Sequence, residues 1–158
     1  YFSIMDMKYP EEMNMKGLLK SRDDQTVEYA KPAYFALQAM AAIFDDHLIR
    51  IPHYAYKTNA KRSLSVFGYE NKHSGQQVVT IWFDDQVPSD SNEKTEVDLT
   101  FFTGNFNEPV YVDVREAKVY EIPAKNWSQN GSVYELKKIP VYDSPVLIAD
   151  RSIIQIAE

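Results

Sequence analysis

Between Ala33 and Phe44 the chain carries one strongly polar side chain, Gln38, and Tyr34 is polar only at its tip. The segment Lys31 to Asp46, KPAYFALQAMAAIFDD, reads as a helix opened by Lys31-Pro32 and closed by the Asp45-Asp46 pair. Proline suits the first helical position, because the N–H it lacks would have had no partner there. A helix lying on a globular surface keeps a charged stripe toward water, whereas one that is apolar all round is covered on more than one side. Neighbouring strands can cover one side of this helix. The other side calls for a second body.

Beyond Leu48 the period changes to two. In Lys94 to Phe102, Thr95, Val97, Leu99 and Phe101 alternate with Lys94, Glu96, Asp98 and Thr100. Val110, Val112 and Val114 alternate in the same way with Tyr111, Asp113 and Arg115. Such strands bury one face and wet the other. Gln77 to Phe83 (QVVTIWF) is apolar on both faces and reads as a central strand, with Trp82 in the core. Further strands are expected at Leu48–Tyr56, Ser63–Tyr69, Lys118–Ile122, Ser132–Ile139, Pro145–Ala149 and Ser152–Ile156. Turn signals, Asn130-Gly131 the clearest, separate them. Ahead of the helix, Tyr1–Met7 reads as a short buried strand and Lys8–Gly17 as a loop. The expected fold is mainly β, a two-sheet antiparallel sandwich with one N-terminal α-helix. Residues 47–158 form the sandwich, and residues 1–46 are a strand, loop and helix belonging to something else.

Composition narrows the partners. A length of 158 residues fits one domain with a short appendage. A net charge of −6 argues against nucleic-acid backbones and anionic membranes, and no apolar run is long enough to span a bilayer. The absence of cysteine removes disulfides, thiolate metal sites and cysteine nucleophiles together. The first residue is Tyr1 rather than Met, which points to trimming or processing.

The string FSIMDMKYP…KGLL…VEYAKPAYFALQAMAAIFDD resembles the last strand, loop and helix of a (β/α)-barrel. The stretches EVDLTFFTGNFNEPVYVDVREAKVYEIP and IPVYDSPVLIADRSII resemble the C-terminal all-β domain of bacterial glycoside hydrolases related to the β-xylosidase clan. The resemblance implies that the catalytic acid and nucleophile lie on earlier barrel strands, outside this chain, since barrel chemistry sits on the loops after the strands. It also implies a secreted or periplasmic protein. On this reading the chain is a non-catalytic domain whose partner is the catalytic barrel of the same polypeptide. Tyr34, Leu37, Met40, Ala41 and Phe44 would pack the two together. Asp45 to Ile49 leave no room for a flexible linker. The isolated fragment would self-associate around Met40, Ala41 and Phe44.

No catalytic residue, metal site or cofactor is expected within the chain. The pairs Asp23-Asp24, Asp45-Asp46 and Asp84-Asp85 are sequence neighbours at turns, where acids are solvated or cap local amides. His47, His53 and His73 match no zinc spacing. The acidic loop Asp84 to Glu93 lacks the spacing of a calcium loop. Aromatic residues offer an alternative, a module binding poly- or oligosaccharide through exposed rings, with Trp127, Tyr54, Tyr56 and Tyr111 as candidates. Strands also favour aromatics for packing alone. A protein-binding or adhesion sandwich is the second alternative.

Overall fold

In the strand Gln77–Phe83, Val79, Ile81 and Phe83 point to one side and Val78 to the other, and all four are buried. A strand covered on both faces belongs inside a layered structure, and two layers flank the sheet that holds this one. The computed structural model describes residues 3–89 and 91–154. In chain order the elements begin with β1 (Met7–Lys8), β2 (Met13–Asn14), β3 (Leu19–Ser21), β4 (Val27–Ala30) and the helix α1 (Pro32–Ile43). The strands of the sandwich follow: β5 (Leu48–Ile51), β6 (Tyr56–Thr58), β7 (Leu64–Asn71), β8 (Gln77–Phe83), β9 (Thr95–Phe101), β10 (Pro109–Asp113), β11 (Lys118–Glu121), β12 (Trp127–Asn130), β13 (Val133–Val141) and β14 (Val146–Asp150).

Six of these strands form one antiparallel sheet in the order β11-β10-β14-β8-β7-β5, and four form another, β12-β13-β9-β6. The protein is mainly β, a two-sheet sandwich with one α-helix among the described residues. Val97, Leu99 and Phe101 of β9 face Val79, Ile81 and Phe83 of β8 across the core, and Tyr134, Leu136 and Ile139 of β13 join them. A second apolar layer lies on the outer face of the six-stranded sheet. There Ala39 and Ile43 of α1 meet Val78, Val110, Val112, Leu147 and Ala149.

Particular contacts hold the sandwich in register. The Tyr134 hydroxyl donates to Phe106 O at 2.7 Å and accepts from Phe106 N at 3.1 Å, tying β13 to the loop before β10. Gly68 leaves room for the Tyr54 ring: a Cβ there would stand 2.2 Å from Tyr54 Cδ2. The buried Asp150 carboxylate accepts the Asn107, Glu108 and Ser152 amides and caps the 3-10 turn Arg151–Ile153.

Several elements differ from the sequence reading. Leu48–Tyr56 is two strands in different sheets, because the turn after Ile51, with His53 at φ +51°, carries the chain across the sandwich. Tyr1–Met7 is not a buried strand: Met5 makes a single bridge to Leu19, and Ile4 and Met7 are exposed, while residues 1 and 2 lie outside the described ones. The Lys8–Gly17 loop contains the hairpin β1–β2. At Ser152–Ile156 the described part begins as a 3-10 turn, and residues 155 and 156 lie outside the described residues. Trp82 is half-buried on the outer face, its ring 5.4 Å from that of Phe67.

Candidate functional site

Helix α1 divides its apolar residues between two surroundings. Ile43 is 2% exposed and Ala39 is buried, both against the six-stranded sheet. Met40 and Phe44 are half-buried at the same contact, and the Phe44 ring meets Tyr69 edge-on at 4.9 Å. Ala33, Leu37 and Ala41, four residues apart and so on one face, are exposed, Leu37 at 55%. Phe35 and Ala42 are exposed beside them. Of the five residues expected to pack against a second body, Leu37 and Ala41 are free to do so and Tyr34 is half-buried. Met40 and Phe44 pack in part against the sandwich of their own chain.

The segment before the helix continues this open apolar character. Asp6 N donates to Leu19 O at 2.9 Å, Leu19 N to Ile4 O at 2.9 Å, and Lys31 N to Leu18 O at 2.9 Å, which ties the two N-terminal hairpins to the start of α1. The buried Asp6 carboxylate takes Lys31 Nζ at 2.6 Å and Gly17 N at 3.1 Å. The Lys31 bond holds its carboxyl below the usual carboxylate range against the opposing effect of burial. Around this polar knot Ile4, Met7, Tyr9, Met15, Val27 and Tyr29 are exposed. Scattered surface apolar residues are ordinary, but a contiguous patch beyond a few hundred Å² marks an interaction surface.

The four candidate sugar-stacking rings make no exposed platform. Tyr54 and Tyr111 are buried in the sandwich core, since both point inward from the strand network. Tyr54 donates its hydroxyl to Gln77 Oε1 at 3.0 Å. Tyr56 is half-buried, its hydroxyl on Leu64 O at 3.0 Å. Trp127 opens strand β12 instead of lying in a loop, and its ring stacks on Tyr134 at 6.3 Å with planes 10° apart. Tyr120 is an exposed ring, and it overlooks a cleft of about 390 Å³ lined by Lys94 and by residues of β10, β11, β13 and the segment joining β11 to β12. The Tyr111 hydroxyl, buried beside this cleft, has no hydrogen-bond partner among the described residues. Such a group destabilises a fold by about 1–3 kcal/mol until it finds one.

The acids are occupied locally. Asp85 forms a two-pronged pair with Arg62, and Asp84 accepts Ser65 Oγ at 2.6 Å. Asp113, nearly inaccessible, receives Lys94 Nζ at 2.7 Å, Tyr142 OH at 3.1 Å and two backbone amides. Burial alone would raise its carboxyl, but the Lys94 bond and charge outweigh that and lower it. His47 and His73, which their spacing kept apart, have ring centres 5.0 Å from each other. The donor atoms of Asp45, Asp46 and His47 lie within 4.8 Å of one another, yet Asp46 also faces the Lys72 ammonium at 3.8 Å. No family model, curated protein or solved structure matches this chain.

Proposed function

We propose that the chain is the non-catalytic, end-closing region of a glycoside hydrolase, docked through the outer face of α1 and the N-terminal hairpins onto a (β/α) barrel of the same polypeptide. One observation carries this reading: the apolar stripe Ala33, Leu37 and Ala41 faces water, with Phe35 and Ala42 beside it, although Ala39 and Ile43 of the same helix are buried against the sandwich. The strand-like segment around Met5 bonds to Leu19 along one side only, as a barrel strand separated from its neighbours would. The work of the sandwich is mechanical: it removes water from the barrel's last helix and holds that helix in place. Sequencing the coding region upstream of Tyr1 tests the proposal. A continuous frame of about 250 residues with alternating strand and helix patterns supports it; a frame without that pattern removes it.

A further inference from the structure

The second sheet has four strands against six in the first, and the cleft lies at the β11 edge of the wider sheet. Tyr111 and Tyr120 are register partners across β10 and β11, their rings 6.0 Å apart. Tyr111 is 5% exposed and Tyr120 43%, so one forms the floor and the other the rim. Ile139 and Pro140 of β13 form the facing wall, and Asn126 and Lys138 bring an amide and an ammonium to its edge. Lys94 is neutralised by Asp113, and the Glu121 carboxylate that also lines the cleft pairs with Arg151 at 3.5 Å, whereas Lys138 has no carboxylate within ion-pair distance among the described residues.

We propose that this cleft binds one sugar ring of an oligosaccharide, a ring bearing a carboxylate ahead of a neutral one. A pyranose offers an apolar C–H face and a rim of hydroxyls. The Tyr120 ring supplies a surface for the face, while the Asn126 amide donates and accepts at the rim. The free Lys138 ammonium supplies a charge-assisted bond to a carboxylate. The volume falls at the small end of ligand pockets, which suits one ring rather than a long chain. This site goes beyond the docking role and does not depend on it, since α1 covers the opposite face of the six-stranded sheet.

Calorimetric titration of the whole chain with trigalacturonate and with xylotriose tests the site. Saturable binding is expected, with trigalacturonate about tenfold tighter because of its charge-assisted contact. Tyr120→Ala abolishes it, and Lys138→Met removes the preference for the acid. Asn126→Ala weakens binding about five- to tenfold through the lost hydrogen bond, whereas Tyr111→Phe leaves affinity unchanged and the thermal midpoint unchanged or higher, because it deletes a sealed, unpaired hydroxyl. The proposal is overturned if neither saccharide binds saturably, if Tyr120→Ala changes nothing, or if Lys138→Met keeps the preference for the acid. Leu37→Glu leaves the cleft untouched, so the same titration on that variant reads the site separately from the docking face.

Discussion

Lys31 Nζ lies 2.6 Å from Asp6 Oδ1, a bond that spans 25 positions of sequence and pins the first described residues to the N-terminus of α1. The N-terminal hairpins and the helix therefore behave as one unit. Asp6→Asn should release that unit: amide exchange at Gly17 and Leu19 rises, while the amides of β8 and β14 stay protected. Native-state hydrogen exchange checks this, and a uniform rise across the sandwich would mean that the two regions unfold together.

The outward stripe of α1 should drive reversible association of the chain at high concentration. The double substitution Phe35→Glu with Leu37→Glu is expected to give a monomer by sedimentation. Both positions are exposed, so stability should remain within about 0.5 kcal/mol of the starting protein. A wild-type chain that sediments as a monomer at millimolar concentration contradicts the expectation.

Gly68→Ala places a methyl group against the Tyr54 ring, which is held by Gln77 and by Phe101 at 5.5 Å. A packed core yields poorly to an added carbon, and a loss of about 1–3 kcal/mol is expected in urea unfolding. Gly131→Ala, where no atom stands within 4 Å but φ is +60°, serves as the comparison for backbone strain alone.

Stability should form a plateau that falls at both ends of the pH range. Asp113 and Asp150 have carboxyls held below the ordinary value despite burial, by Lys94 in the first case and by Ser152 and backbone amides in the second. Groups lowered on folding stabilise fully above their unfolded value, about 3.9, and lose that contribution as pH falls through the folded one. Tyr54, Tyr111 and Tyr142 are raised, chiefly by burial, so their contribution is complete below about pH 10 and is lost as pH climbs beyond it. Lys94→Met should destabilise by about 2–3 kcal/mol, less than for a fully enclosed pair because Lys94 keeps part of its side chain in water. It should also shift the acid limb upward, as Asp113 then protonates more readily. Urea unfolding at a series of pH values measures both effects.

Much of the sandwich was legible because period-two alternation in β9 records one buried face, whereas in β10 Tyr111 and Asp113, expected on the wet face, are buried as well. Val97, Leu99 and Phe101 are buried between exposed Glu96 and Asp98, as the pattern required. β12 escaped notice because Trp-Ser-Gln-Asn carries no alternation and reads as a turn. β5 and β6 fused into one expected strand because side-chain pattern does not record a chain crossing between sheets. The N-terminal hairpins are too short to carry any period. Helix α1 was legible as an apolar helix lying on a sheet, but not which residues that sheet would take. The cleft gathers Lys94, Tyr111, Asn126 and Lys138 from separate parts of the chain, and single bonds of the Asp113 network span up to 29 positions. Proximity of that kind is a product of topology and leaves no local trace.

The central claim is that another part of the same polypeptide buries the outward stripe of α1. Hydroxyl-radical footprinting of Phe35 and Leu37, in this chain alone and in the product of its full reading frame, addresses it directly. Severalfold protection of both residues in the longer protein, with Tyr120 labelled equally in both, is the predicted result. Equal labelling of Phe35 and Leu37 in the two proteins would contradict it.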